Sequence, residues 1–321
     1  MKSIKRILAT LCFIIIFVVI FGKASDLLMH KQVEGRWNMT AKVAGFFNEE
    51  PNCFDVLFFG SSHMYCSVDP SVFKEVTGLN SYVFATQQQP LWITYHYMVE
   101  ALKTQTPQLI VVEINKINEQ EDFMDEGTNY TAIDPIRLSK NKIDMIYESV
   151  PKGQYRYYIF NIMKYHERWE ELDELDYVRD YERETDPDKG YVRLTSASNE
   201  IVREDVTAIT EVKVGAEKSM LYLNKIIDLA QEENIRLVLL KAPSNATAEE
   251  KMFYNGVARV ADARGVDYVD YNDDQLYKEV GLDLMTDFYD QRHLNESGMK
   301  KFVDHFGRIL IGGDDHNVED Q

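Results

Sequence analysis

Two short runs at opposite ends of the chain carry side chains suited to acyl chemistry. Gly60-Ser61-Ser62-His63 follows directly on the apolar run Val56 to Phe59, and Asp287-Phe288-Tyr289-Asp290-Gln291-Arg292-His293-Leu294-Asn295 lies near the C-terminus. In the second run a carboxylate precedes an imidazole closely enough for one short loop to hold them together. A serine hydroxyl is a weak nucleophile at neutral pH and needs a base, plus a group that orients the base. Ser62 is therefore the candidate nucleophile, His293 the base and Asp290 the orienting carboxylate. The carbonyl under attack gathers negative charge, so N–H donors must lie near it. The peptide N–H of Ser62 or Ser61 is one such donor. An imidazole base is lost on protonation, so activity is expected to fall below roughly pH 6 to 7.

Elements that position these groups can be read around them. Val56 to Phe59 is too short for a helix and suits a strand buried on both faces. It stops at Gly60, at the carboxyl edge of a parallel sheet, where open α/β sheets hold their ligands. Further strands are predicted over 81–85, 109–114, 235–240 and 266–270, and helices over 68–79, 91–103, 220–231, 247–263 and 297–311. Strands alternating with helices predict an α/β fold, a doubly wound parallel five-stranded sheet. Residues from about 116 to 215 break that rhythm and read as a helical insertion rich in Asp, Glu and Tyr. It is expected near the catalytic edge as a lid or substrate platform, with its acidic runs as a solvated face rather than a metal site. Arg168 and Trp169 within it can stack on a sugar ring or pair with a carboxylate, although a Trp169 that ties the insertion to the core is the simpler expectation. His63 reads as a loop residue or a support for the nucleophile, and His96 as a packed residue in an aromatic helix.

Taken together, Gly60-Ser61-Ser62-His63 and Asp290-x-x-His293 resemble the first and last blocks, G-D/S-S-x and D-x-x-H, of the SGNH or GDSL hydrolase superfamily. The resemblance spans roughly residues 54 to 312. It implies a flavodoxin-like SGNH fold, a Ser62, His293 and Asp290 triad, and chemistry with no metal and no cofactor. Such proteins usually add a glycine N–H from a second block and an asparagine side chain from a third. This sequence departs from that pattern: Thr86-Gln87-Gln88-Gln89-Pro90 lacks the glycine, and Glu113-Ile114-Asn115-Lys116-Ile117-Asn118 replaces Gly-x-Asn-Asp. Gln88 or Gln89, by backbone or side chain, and Asn115 are the nearest substitutes. The departures resemble a membrane-anchored branch that includes DltD-like teichoic-acid D-alanylation proteins and alginate acetyltransferases. That resemblance implies a serine esterase or O-acyltransferase acting on acylated cell-envelope glycan or a small ester through an acyl-serine, with a membrane acyl-donor protein as partner where the acyl group is transferred. The altered blocks equally suit a catalytically silent scaffold of the same fold that binds glycan or a membrane acyltransferase.

With 321 residues and 45% hydrophobic content, the chain can bury a substantial core, and one main domain with an embellishment is expected. Lys2, Lys5 and Arg6 precede an uncharged run from Ile7 to Gly22. Residues 1–23 therefore read as an uncleaved membrane anchor with the basic flank cytoplasmic and the bulk of the chain outside. Residues 24–53 read as a stalk, 54–312 as the α/β domain and 313–321 as an acidic tail. A formal charge of −18 argues against a nucleic-acid partner and against bulk capture of a polyanionic wall polymer. Cys53 and Cys66 flank the first strand, about 20 Å apart at strand rise, too far for a disulfide.

Overall fold

The computed structural model describes residues 2–29, 39–177, 185–198 and 201–312. The acidic tail at 313–321 lies outside the described residues, as do parts of the expected stalk (30–38) and insertion (178–184 and 199–200).

Five parallel strands form one sheet: β1 (Val56–Phe59), β2 (Ser81–Val83), β3 (Leu109–Glu113), β4 (Arg236–Lys241) and β5 (Asp267–Asp270), in the order β2-β1-β3-β4-β5. In such a strand neighbouring side chains point to opposite faces, and both faces are covered here. Leu57 and Phe59 enter one core with Ile110, Val112, Leu237 and Leu239, while Val56 and Phe58 enter the other with Val111, Val238 and Leu240. That double burial explains why β1 and β3 are unbroken apolar runs rather than alternating ones. On the first face lie α5 (Leu91–Ala101), α11 (Glu217–Glu232) and α12 (Ala248–Arg264); on the second lie α4 (Pro70–Thr77), α13 (Asp274–Val280) and α14 (Glu296–Gly312). The sheet is thus doubly wound. The order reverses between β1 and β3, and the crevice outside their carboxyl ends is where this topology places ligands.

Local chemistry trims the predicted boundaries. The helix expected over 68–79 is α4, opened by Asp69, whose carboxylate accepts from the Ser71 N–H at 2.8 Å, with Pro70 in its first turn, and closed by Gly78 at φ 78. Likewise α12 opens on a capping box in which Thr247 and Glu250 exchange hydrogen bonds, and closes at Gly265.

At the N-terminus α1 (Lys2–Leu28) is long and apolar enough to cross a membrane, and a signal sequence has the same character. Within the region read as a stalk leading into the sheet, α2 (Met39–Phe46) packs into the main core, where Phe46 stacks on Phe84 with ring centroids 4.1 Å apart. Two large rings offered side by side at Phe46 and Phe47 gain more from burial than an extended tether would.

The insertion is also placed differently from the expectation. A short 3-10 segment over Asn115–Asn118 leads to α6 (Glu126–Ile133), α7 (Lys140–Ser149), α8 (Tyr155–Ile159), α9 (Ile162–Tyr165), a second 3-10 segment (His166–Glu170) and α10 (Glu174–Tyr177). These helices pack against α5, α2 and α1 rather than over the strand ends. Trp169 does not tie them down, since it is 65% exposed. Arg168 does so instead, donating to the Leu28 and Met29 carbonyls at 2.9 and 2.8 Å and to Asp176 at 2.9 Å. The described remainder, 185–198 and 201–216, is irregular and runs along the other elements: Val192 N–H donates to Tyr65 O at 2.8 Å, Ser198 N–H to Phe288 O at 2.9 Å and Lys213 N–H to Met252 O at 2.9 Å.

Candidate active site

Ser62 opens a single turn, α3 (Ser62–Tyr65), directly beyond β1. Gly60 makes the bend: its φ of 153° and the space around it admit no side chain, because a Cβ would sit 2.8 Å from that of Glu113 and 3.2 Å from that of Met64. The strand end therefore lies close against β3, and the serine is delivered at the switch point of the sheet. Within α3 the Met64 and Tyr65 N–H groups donate to Ser61 O at 2.9 and 3.2 Å, which leaves the Ser62 and His63 N–H groups without a partner inside the helix, as at any helix start.

The opposing group arrives on a small hairpin. Phe288 and Leu294 form an antiparallel bridge and are both fully buried, with Tyr289 N–H donating to His293 O at 2.9 Å. The tip between them holds Asp290 and His293. Asp287 anchors the base of the loop, fully buried, accepting from the Ser297 hydroxyl at 2.7 Å and Lys301 Nζ at 2.6 Å. Asn295 then caps α14 by accepting from the Ser297 N–H at 2.9 Å.

His293 Nε2 lies 2.8 Å from Ser62 Oγ, and Nδ1 lies 2.9 Å from each oxygen of Asp290. The Asp290 carboxylate also accepts the backbone N–H of Arg292 at 2.7 Å and of His293 at 2.9 Å. Partial burial pushes its pKa up, but the His293 and backbone hydrogen bonds outweigh that, so the group is held below the usual carboxylate value. A carboxylate on Nδ1 leaves Nε2 unprotonated in the neutral ring and ready to take the serine proton.

Around Ser62 a cavity of about 690 Å³ is lined by Ser61, Gln88, Asn115, Lys116, Tyr254 and Arg292, among others. The first residues of the insertion, Lys116 to Glu119, line it, while none of the described residues between 120 and 215 does, so the described helices of the insertion form no lid. Asn115 Oδ1 accepts from the Tyr254 hydroxyl at 3.4 Å, which leaves the amide N–H groups for the cavity. Gln88 is exposed at the rim at φ 50, its Oε1 accepting from Lys116 Nζ at 3.0 Å. Gln89 is removed from the site: it is buried, and its amide is bound to Thr86 N–H at 3.0 Å and the Thr94 hydroxyl at 2.9 Å. Its backbone N–H is also taken, by Thr86 O at 3.3 Å. Ser61 is buried, with a hydroxyl that finds no partner.

Beneath the nucleophile lies a charged cluster that no motif marks. Lys241 and Glu113 end neighbouring strands, both with fully buried side chains, 3.3 Å apart. Lys241 Nζ also donates to Ala242 O at 2.9 Å and contacts His63 Nδ1 at 3.2 Å, while Glu113 accepts the Asn115 N–H at 3.1 Å. Burial holds the His63 ring neutral, its pKa far below the usual value, with Lys241 adding to the effect. An ammonium can only donate, so Nδ1 accepts and the ring proton sits on Nε2. The His63 ring meets that of His293 edge-on, centroids 5.3 Å apart. Burial raises the Glu113 carboxyl against the pull of Lys241. A sequence signal for this cluster exists in retrospect: the apolar runs of β3 and β4 each close on one charged residue, which an unpaired interior does not tolerate. His96, as expected, is packed, with Nδ1 on Asn141 Oδ1 at 2.6 Å. Among the described residues no group of three or more His, Cys, Asp or Glu side chains is placed to hold a metal.

No protein-family model matches the sequence, and no curated protein matches it either. Among solved structures, similar folds include a protein from Bacteroides fragilis provisionally assigned as an acylhydrolase, at 11% identity and a TM-score of 0.41, covering 88% of this chain and 99% of that one. A mutant acetyl-xylooligosaccharide esterase from Geobacillus stearothermophilus is similar at 10% identity and a TM-score of 0.37, covering 80% and 94%. A catalytic mutant of an acetylxylan esterase from the same organism matches at the same values. At such distance the likeness decides nothing about chemistry.

Proposed function

We propose that this chain is a membrane-tethered serine enzyme of the SGNH type that cleaves or transfers acyl esters. The observation that carries the reading is the relay from Ser62 through His293 to Asp290, with a 2.8 Å contact between Ser62 and His293, 231 residues apart in sequence, and a 2.9 Å contact between His293 and Asp290. His293 Nε2 takes the proton as Ser62 Oγ bonds to the acyl carbon. Asp290 keeps the ring in the required tautomer and stabilises its charged form. Negative charge on the carbonyl oxygen is met by the Ser62 N–H and by the Asn115 amide, the latter in place of the asparagine of the third block. His293 then returns the proton to the departing alkoxide, leaving an acyl-serine. Water or a sugar hydroxyl, deprotonated by the same imidazole, releases the acyl group.

The rim of the cavity favours a hydroxylated substrate. Lys116, Glu119, Glu249, Glu250 and Arg292 surround it, and Phe253 and Tyr254 supply an aromatic wall. A glycan ester fits such a polar, partly aromatic groove better than a long-chain ester does. With α1 in a membrane and its basic flank cytoplasmic, the site faces the envelope side, and acylated cell-envelope polysaccharide is the proposed substrate. Transfer to that polymer would draw on a membrane acyl-donor protein.

A fluorophosphonate probe tests the reading directly. Wild type should label and Ser62→Ala should not; equal background in both would leave a non-catalytic scaffold. Hydrolysis and transfer are then separated by presenting acetyl, longer acyl and D-alanyl esters with and without a sugar acceptor.

A further inference from the structure

A second cavity, of about 1030 Å³, shares no residue with the first and is bounded by the outer end of α1, by α2 and by the insertion between Asp134 and Met163. From Ile4 to Ile20 every side chain of α1 is exposed, and burial begins at Phe21. Phe21 meets Phe160 edge-on at 5.5 Å, and the Ser25 hydroxyl accepts from the Ile162 N–H at 3.0 Å. The bare stretch is about 25 Å long at helical rise, close to a hydrocarbon core of about 30 Å. On the reading that α1 is a membrane anchor, the insertion therefore sits where acyl tails give way to headgroups. Its exposed apolar side chains agree: Leu138, Phe160, Met163 and Trp169 are 71, 45, 41 and 65% exposed, and aromatic residues favour that depth.

The charges are unlike those of the rest of the chain. Arg137, Lys142 and Arg156 line the cavity, and among the described residues none of them pairs with a carboxylate, in a protein of net charge −18. Arg137 reaches Phe47 O at 3.5 Å and Asn48 Oδ1 at 3.3 Å; Arg156 reaches the Tyr157 hydroxyl at 2.9 Å. Buried Lys142 donates to Asp134 O at 3.2 Å and Ile136 O at 2.7 Å. Two acids also line the space, Asp26 and Asp134, and the latter is neutralised by Lys164 Nζ at 2.6 Å. The site is thus apolar along α1 and the insertion, with cations in excess.

We infer that this cavity binds one anionic phospholipid from the leaflet in which α1 ends, with an acyl chain along Phe17, Phe21 and Phe160 and its phosphodiester on Arg137, Arg156 and Lys142. A free phosphate would leave the apolar walls unused, and a neutral lipid would leave the guanidiniums without a counter-charge. The bound lipid would fill the gap between helix and domain and fix the height of the catalytic cavity above the membrane.

Native mass spectrometry of the full chain, extracted in detergent and offered equimolar phosphatidylglycerol and phosphatidylcholine, tests this. Wild type should retain phosphatidylglycerol about tenfold to thirtyfold better, as two basic contacts predict, and R137Q/R156Q should lose the preference with an unchanged melting midpoint. F160E should lower retention of both lipids. Equal retention in wild type, or an R137Q/R156Q variant that behaves like wild type, overturns the site. N-terminal sequencing of the same sample separates the two readings: an intact N-terminus without lipid preference sinks the lipid site alone, whereas cleavage after Ala24 removes one wall and sinks both.

Discussion

Two charged groupings flank the same serine and live under different rules. Above it, Asp290 and His293 occupy a hairpin tip open to water, with side chains 45% and 21% exposed. Below it, Glu113 and Lys241 are fully enclosed beside His63. On the proposed mechanism the upper pair moves a proton, and it lies where solvent can reach it. The lower group is sealed, with its charges held in fixed proportion, and serves as a polar plug under the α3 turn. Proximity to the nucleophile therefore does not make a charged residue a proton carrier.

Breaking the upper pair should act on rate. Ser62→Ala should cost on the order of 10⁴-fold or more in ester turnover while leaving the melting midpoint near wild type, and His293→Ala should match it, because members of one relay are not additive. Asp290→Asn should follow at about 10²- to 10⁴-fold, since the wrong tautomer is then favoured. Stopped assays with an activated acetyl ester measure all three. A rate loss confined to tenfold in Ser62→Ala would mean that the hydroxyl is not the nucleophile.

Breaking the lower group should act on stability. Lys241→Met leaves Glu113 without its partner in the interior and should cost about 3–5 kcal/mol, read as a fall in the melting midpoint. The double variant Glu113→Leu with Lys241→Met should recover most of that loss, because no charge is then left alone. If the single variant melts like wild type and instead loses turnover, the comparison collapses and the cluster belongs to the chemistry.

Acid sharpens the contrast with the smallest effect. The Asp290 carboxyl is depressed in the folded chain, so its stabilising contribution is complete above its ordinary value near 3.8 and is lost as pH falls through the lower folded value. The difference in melting midpoint between wild type and Asp290→Asn should accordingly stay flat from pH 7 to about pH 4 and shrink below. The carboxylate then accounts for no fall in turnover between pH 7 and 5.

Much of this was legible in the sequence, for local reasons. Val56–Phe59 and Leu109–Glu113 announce themselves as doubly buried strands, and Asp290 and His293 are near enough in the chain to meet on one loop. What was illegible depends on distant partners. Gln89 looked like a donor, but Thr86 and Thr94 close over its amide. His63 looked like a loop residue until Lys241, 178 residues away, took its Nδ1. The insertion looked like a lid, and its helices turned instead to α1, a choice set by Phe160 and Arg168 finding partners near residues 21 and 28.

The long reach between serine and imidazole has a consequence for how the protein comes into being. During synthesis Ser62 emerges 231 residues ahead of His293, which sits on a loop anchored to the start of α14. Until α14 docks against α4 Ser62 has no imidazole beside it, so on the proposed mechanism a polypeptide that stops short of α14 is chemically mute. Appearance of activity would then serve as a clock for the arrival of that helix.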